Sequence, residues 1–174
     1  MVFNGDMKTT TKTKTSLSKA VRGFRNNSEL IDCARRIFQL RVEIQDGQRY
    51  IRRKDKDGIR EMENNERKCR ELETRLHSSL TSAGTRCKLA ALLCKHHLDK
   101  IDTEIVMLLV LDRLALLKDE YRKVHEISAV LGKATGLKAV KSLSESGRLH
   151  KHALISYDDP DEDFRDRIVE LDPQ

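Results

Sequence analysis

The first half of the chain carries two narrow apolar seams with helical spacing. The first alternates four- and three-residue steps from Ser28 onward, and its positions are Leu30, Ala34, Ile37, Arg41, Ile44, Gln48 and Ile51. The second follows a predicted turn at 54–58 and repeats every seven residues, at Met62, Cys69 and Leu76. Both arms are heavily charged. We therefore expect a helical hairpin or coiled coil over 28–80 that pairs with itself, another subunit or a partner rather than forming a broad core.

A denser apolar pattern follows a break of small residues at 81–84. Residues 85–102 predict one helix, and residues 103–117 predict a second, with Thr103 as its N-terminal cap. The apolar stripe of this second helix is interrupted only by Asp112. Because it is the most hydrophobic segment of the chain, we expect it at the centre of the C-terminal domain.

Two shorter helices are predicted next, over 124–132 and 136–146. Gly132 and Gly147 are expected to end them, and Thr135 is a cap for the second. The inward side of that second helix keeps a three-residue step at Leu137, Val140 and Leu143. The outward side is left with Lys138, Lys141 and Ser142. The exposed face of this helix is therefore predicted to be basic.

After Gly147 the side chains alternate with a two-residue period, which predicts strands instead of further helices. Residues 148–157 predict a strand and residues 164–171 a return strand, joined by an acidic loop at 158–163. The expected core unites the inward stripes of two helices with the return strand. Its predicted members are Leu109, Leu137, Val140, Leu143 and Ile168.

Three helices followed by a β-hairpin resemble a winged helix-turn-helix domain, most closely in AVKSLSESGRL at 139–149. The resemblance implies a mainly α (α+β) fold with a C-terminal winged helix. We expect a flexible basic tail over 1–27, the charged hairpin over 28–80, and a helical lead-in with the winged-helix domain over 81–174. Residues 85–114, followed by the winged unit and RIVELDP, also resemble the region preceding the ATPase module in some bacterial AAA+ proteins. That resemblance implies a non-catalytic portion whose ATPase domain could follow in a longer protein.

Composition supports a small, helix-rich protein. Hydrophobic residues make up 38% of the 174 positions and charged residues 36%, and tryptophan is absent. A net charge of +6 permits attraction to nucleic acid or to acidic partners. No apolar run approaches the ~18 residues of a membrane span, so we predict no membrane association and a cytoplasmic location.

Motifs for catalysis and cofactor binding are missing from the sequence. The four cysteines form no CxxC pair, which is typical of a reducing compartment. Cys94 and His97, with Cys87 and His96 nearby, could gather a metal, but small cysteines on an apolar helix face are the favoured interpretation. No glycine-rich phosphate loop, GxSxG elbow or HExxH pair occurs. We predict that the chain is not an enzyme and holds no metal or cofactor.

Two kinds of binding remain. The first is interaction with a protein partner or with the chain's own ATPase domain. A self-contained adaptor that forms a homo-oligomer through 28–80 and binds a partner is a further form of this hypothesis and shares most of the same sequence features. The alternative is a DNA-binding transcriptional regulator with its third helix in the major groove. Its nucleic-acid-binding residues would be Lys133, Thr135, Lys138, Lys141, Ser142 and Arg148. Five acids in the wing loop would repel phosphates, which favours the protein partner.

Overall fold

The computed structural model describes residues 23–50, 55–81, 87–159 and 161–172, without the side chains of residues 50, 81, 133 and 134. The helices are α1 (Asn27–Tyr50), α2 (Lys56–Thr81), α3 (Lys88–Lys95), α4 (Lys100–Arg113), α5 (Val124–Val130), α6 (Lys133–Leu143) and α7 (Arg148–Lys151). The strands are β1 (Ile155–Tyr157) and β2 (Val169–Leu171). The protein is mainly helical with a small two-stranded sheet, as the sequence predicts.

Some predicted features lie outside the described residues. They are most of the tail over 1–27, Ile51 at the end of the first seam, and nearly all of the small-residue break at 81–84. The predicted turn at 54–58 is described only from Asp55, which caps α2 by accepting a hydrogen bond from the amide of Gly58 at 2.9 Å.

The hairpin helices α1 and α2 pack against each other and also against the rest of the molecule. Leu30, Ile37 and Leu40 of α1 are buried in one hydrophobic cluster that includes Leu76 of α2 and Leu108 of α4. The expectation that the hairpin would avoid a broad core is therefore wrong. The apolar surface of α1 is wider than the seam because Leu40, outside the seam, is also buried and α1 contacts α4 as well as α2.

The central helix α4 begins earlier than predicted. The carboxylate of Asp99 caps it by accepting hydrogen bonds from the amides of Ile101 and Asp102 at 2.8 and 2.9 Å. The side chain of Asp102 accepts in return from the amide of Asp99, which completes a capping box. Thr103 is thus inside the helix, and the predicted single helix over 85–102 is replaced by α3, a turn and the first residues of α4.

Burial confirms the central place of α4. Ile105, Met107, Leu108 and Leu111 are fully buried. The helix ends at Arg113 rather than at 117, because the chain turns there through Ala115 with a positive φ of 51°.

Helix α5 agrees with its prediction, whereas α6 starts one turn earlier than expected. Gly132 precedes α6 with φ of 92°, a backbone conformation that favours glycine. Leu109 and Leu143 are buried as predicted, and Val140 and Ile168 are partly buried. Leu137 contradicts the predicted core because it is 84% exposed.

The predicted long hairpin at the C-terminus is wrong in the first part of both strands, because the return strand predicted over 164–171 is also shorter and begins at Val169, after a turn over 164–166. Residues 148–151 form α7, and β1 covers only Ile155–Tyr157, which pairs antiparallel with Val169–Leu171. Leu149 of α7 is fully buried. The segment before α5 joins this sheet through an isolated antiparallel bridge between Lys123 and Ile168.

Candidate interaction surface

The outward side of α6 carries an exposed apolar residue between cations. Ala139 and Leu143 are fully buried on the inward side, which turns Leu137, Lys138 and Lys141 toward solvent. Among the described residues, neither Lys138 nor Lys141 forms an ion pair. We call Leu137, Lys138 and Lys141 the α6 face. It offers one apolar side chain and two uncompensated positive charges.

The other residues assigned to nucleic acid have different surroundings. Thr135 donates hydrogen bonds to the carbonyl oxygens of Leu131 and Gly132, and the side chain of Lys133 is outside the description. Ser142 donates a hydrogen bond to a carboxylate oxygen of Asp102. The structure therefore brings Lys138 and Lys141 together on the surface, while Thr135 and Ser142 bond to the protein itself.

Asp102 also holds Arg148. This carboxylate is almost fully buried at the start of α4, and the guanidinium Nη1 of Arg148 lies 3.3 Å from its Oδ2. The same nitrogen donates to the carbonyl oxygen of His97 at 3.1 Å. Asp102 thus ties α6 and α7 to α4, a role that sequence reasoning missed because Asp102 was placed at a helix junction.

The loop between the strands is acidic and open. Its five carboxylates are exposed: Asp158, Asp159, Asp161, Glu162 and Asp163. Within the described part of the chain, none of them forms an ion pair; Asp159 and Asp163 accept hydrogen bonds only from nearby backbone amides. We call these five residues the acidic loop. It is a concentrated negative charge with no ion-pair partner among the described residues.

A shallow notch lies where the acidic loop meets the end of α6. Its volume is about 400 Å³, and its lining residues are Ser144, Glu145, Ser146, Phe164 and Arg167. The guanidinium of Arg167 is 2.9 Å from Glu145 and lies over the ring of Phe164 at 5.8 Å. We call this the Phe164 notch. The one cation that lines it, Arg167, is already paired with Glu145. The notch therefore offers the ring of Phe164 next to the acidic loop.

A second polar constellation is buried between α1, α2 and α4. The Nη2 atom of Arg41 lies 2.7 Å from Glu73 and 2.8 Å from Glu104. Glu104 also contacts His77 at 3.1 Å and Lys100 at 3.9 Å. The side chain of Arg41 is 12% exposed and that of Glu104 is 3% exposed. We call these five residues the Arg41 cluster. It replaces apolar packing at the seam position that the sequence marks as interrupted.

The Arg41 cluster sets the ionisation of its members. Burial opposes the charge of Glu104, but the hydrogen bond from His77 and the charge of Arg41 outweigh it and hold the pKa of Glu104 below its usual value. Burial, followed by the charge of Glu73, raises the pKa of the Cys69 thiol to about 11. Glu104 is therefore a buried anion, and Cys69, which lies next to Glu73, is a neutral thiol near pH 7.

The cysteine and histidine that could have bound a metal, Cys94 and His96, have other neighbours in the structure. Cys94 donates its thiol to the carbonyl oxygen of Leu80 at 3.0 Å, and the rings of His96 and His152 are in edge contact at 5.7 Å. Over the described residues, no group of three or more His, Cys, Asp or Glu side chains is placed to hold a metal ion. None of the described helices is long and apolar enough to cross a membrane.

Comparisons with protein-family models, with curated proteins and with solved structures found no match to this chain.

Proposed function

We propose that this chain is a non-catalytic interaction or regulatory region that binds a protein partner through the α6 face. The observation that carries the proposal is the 84% exposure of Leu137 on a helix whose opposite side is buried. A solvated apolar side chain flanked by lysines is suited to a partner that supplies both apolar surface and negative charge. DNA phosphates would supply only the charge.

We further propose an association with an AAA+ ATPase, which rests on the sequence resemblance at 85–114 and 167–173. The order α4, α5, α6, β1 and β2, with the short helix α7 between α6 and β1 and the Lys123–Ile168 bridge joining the segment before α5 to the sheet, is compatible with the winged-helix resemblance. We propose that the chain acts as the winged-helix region preceding such an ATPase module, with the partner or the module itself as the bound protein. Winged helices bind proteins as well as DNA, so the site decides between these functions.

DNA binding is the second candidate, favoured by the unpaired charges of Lys138 and Lys141 on an exposed helix face. Two observations weigh against it. Ser142 and Arg148, which would contact a base edge and a phosphate, are engaged by Asp102. The acidic loop occupies the position where a DNA-binding wing needs positive charge, so it would repel phosphates.

Titration of the full chain against labelled duplex DNA separates the two candidates. For a protein-binding module we expect only weak, sequence-independent association, with a dissociation constant on the order of 10⁻⁴–10⁻⁶ M at physiological salt. Nanomolar, sequence-selective binding that is lost when Lys138 and Lys141 are changed to Glu would overturn the proposal.

A photo-crosslinking amino acid placed at 137 tests the protein partner directly. We expect a covalent adduct with a protein in cells that express the chain. The matched control carries the same amino acid at 71, where Glu71 is exposed on α2, away from α6. Equal adducts from both positions would contradict a specific role for the α6 face.

A further inference from the structure

We propose that the α6 face binds the acidic loop and the Phe164 notch of a second copy of this chain, so that the protein forms a dimer. The inference rests on the proposed function, because it names the partner of the same α6 face. It is carried by two surfaces of opposite charge that have no ion-pair partner among the described residues.

Charge is the first complementarity. The α6 face presents Lys138 and Lys141 with no ion-pair partner, and the acidic loop presents five carboxylates with none, among the residues that the structure describes. Such charges remain solvated in the monomer and can attract each other between copies. The attraction is between opposite signs in the same polypeptide, so a second copy supplies it without any further protein.

Shape is the second complementarity. Leu137 projects from the α6 face with 84% of its surface exposed, and the Phe164 notch is an open depression of about 400 Å³. The acidic loop adjoins the notch at Phe164, whereas Glu145 at the edge of the notch is already paired with Arg167. An apolar side chain entering the notch would therefore bring its flanking lysines next to carboxylates.

The geometry of α6 requires the contact to be between copies. Leu137 lies within α6 and Ser144, seven residues later, is the residue that caps its C-terminus, so the two are roughly 10 Å apart along the helix axis. A chain therefore cannot place its own Leu137 in its own notch. Two copies with antiparallel α6 helices can make the contact twice, since each contributes one Leu137 and one notch to a twofold interface.

Sedimentation velocity of the full chain tests the dimer. We expect reversible self-association over roughly 10 μM to 1 mM, since the two patches are smaller than a standard interface. The association constant should fall roughly tenfold or more between about 50 and 300 mM salt, because exposed charges are screened. A chain that stays monomeric throughout this range overturns the inference.

Variants locate the interface. Lys138→Glu with Lys141→Glu should abolish self-association, and so should Asp159→Lys with Asp161→Lys and Glu162→Lys. The matched control is Lys88→Glu with Lys95→Glu, which makes the same charge change at two exposed lysines on α3 and should leave association intact. Self-association that persists in the α6 variant places the contact elsewhere, for example on 28–80, and overturns the inference. Circular dichroism melts check that each variant is folded.

Mixing the two charge-reversed chains is the decisive step. Each alone carries like charges on both surfaces, whereas the mixed pair restores opposite charges at both contacts. We expect association only in the mixture, and its failure there would contradict the inference. If wild type is monomeric but the crosslinker at 137 still captures another protein, the dimer is wrong while the proposed function stands. Tight, sequence-selective DNA binding would contradict both the dimer and the proposed function.

Discussion

The Nη2 atom of Arg41 lies 2.8 Å from Oε2 of Glu104, joining α1 to the central helix α4 across 63 positions of sequence. Both side chains are largely buried, so their charges are exposed to little water. Glu73 shares the same guanidinium and brings α2 into the contact. This ion pair adds to the apolar cluster through which the N-terminal hairpin packs on the C-terminal part of the chain.

Neutralising Glu104 should destabilise the protein. Glu104→Gln removes one partner of a buried pair and leaves Arg41 incompletely compensated, which costs about 3–5 kcal/mol in comparable buried pairs. The matched control is Glu66→Gln, which breaks an exposed pair with Arg70 at 3.6 Å and should change stability by less than about 0.5 kcal/mol. Urea unfolding measures both. Equal stabilities would show that the Arg41 cluster contributes nothing net.

Acid should weaken the fold partly through Glu104. Its pKa is lowered in the folded protein, so its contribution is present above the usual value of 4.5 and is lost as pH falls through the lower folded value. We expect the free energy of unfolding to decline below about pH 4.5, and Glu104→Gln to decline less steeply. Urea titrations from pH 6 to 3 measure the difference. Parallel curves would contradict the assignment.

Alkaline pH should act through Cys69. The folded pKa of about 11 exceeds the usual 9.0, so the stabilisation is fully present below pH 9 and is lost as pH rises toward 11. The unfolded chain then ionises its thiol before the folded chain does. Cys69→Ala should remove part of the stability loss between pH 9 and 11, as followed by denaturant unfolding. An unchanged alkaline slope would show that this thiol does not titrate differently on folding.

Two leucines provide a matched test of packing. Leu109 is 3% exposed and Leu137 is 84% exposed. Leu109→Ala should cost roughly 2–5 kcal/mol because it opens a cavity in the core. Leu137→Ala should stay within about 0.5 kcal/mol, as expected for a surface substitution. Thermal and chemical melts of the monomeric protein at high salt measure both.

Gly147 occupies a position with no room for a side chain. A Cβ there would lie 2.1 Å from the carbonyl oxygen of Ser142 and 2.8 Å from that of Ser144, both backbone atoms. Gly147→Ala should therefore force the α6–α7 turn to shift and should lower the melting temperature. Gly23→Ala is the control because no atom of the described residues lies within 4 Å of its added Cβ. A melting temperature equal to that of the control would contradict the tight turn.

Local patterns in the sequence determined the helices of the hairpin, the burial of 105–111 and the position of α5. These elements follow from the spacing of apolar residues, which is a property of neighbours along the chain. The candidate site was determined only in part. The lysine positions follow from the pattern, whereas the exposure of Leu137 does not, because Leu137, Val140 and Leu143 have the spacing of a buried stripe. The inward side of α6 could have been found from the four-residue spacing of Ala139 and Leu143, which are both buried.

Helix ends were decided by the tertiary structure. α3, α4 and α7 are each followed by a non-glycine residue of positive φ, namely His97, Ala115 and Ala153. Glycine is the usual residue in that conformation, so the sequence carried no stop signal at these points. The predicted helix over 103–117 accordingly ran too long. The period-two pattern of 148–157 hid α7, which forms because Arg148 contacts Asp102 and Leu149 is buried.

The burial of the charged residues Arg41 and Glu104 likewise could not be predicted from the sequence. Arg41 interrupts an apolar seam and Glu104 lies among hydrophobic residues, and either alone suggests a solvated side chain. The two can be buried because folding brings them together from distant positions, where Glu73 also contacts Arg41 and His77 also contacts Glu104. Local spacing therefore determined most of the helical segments, with α7 as an exception. Only the three-dimensional packing decided which charges could be buried, since the partner that compensates each charge lies elsewhere in the chain.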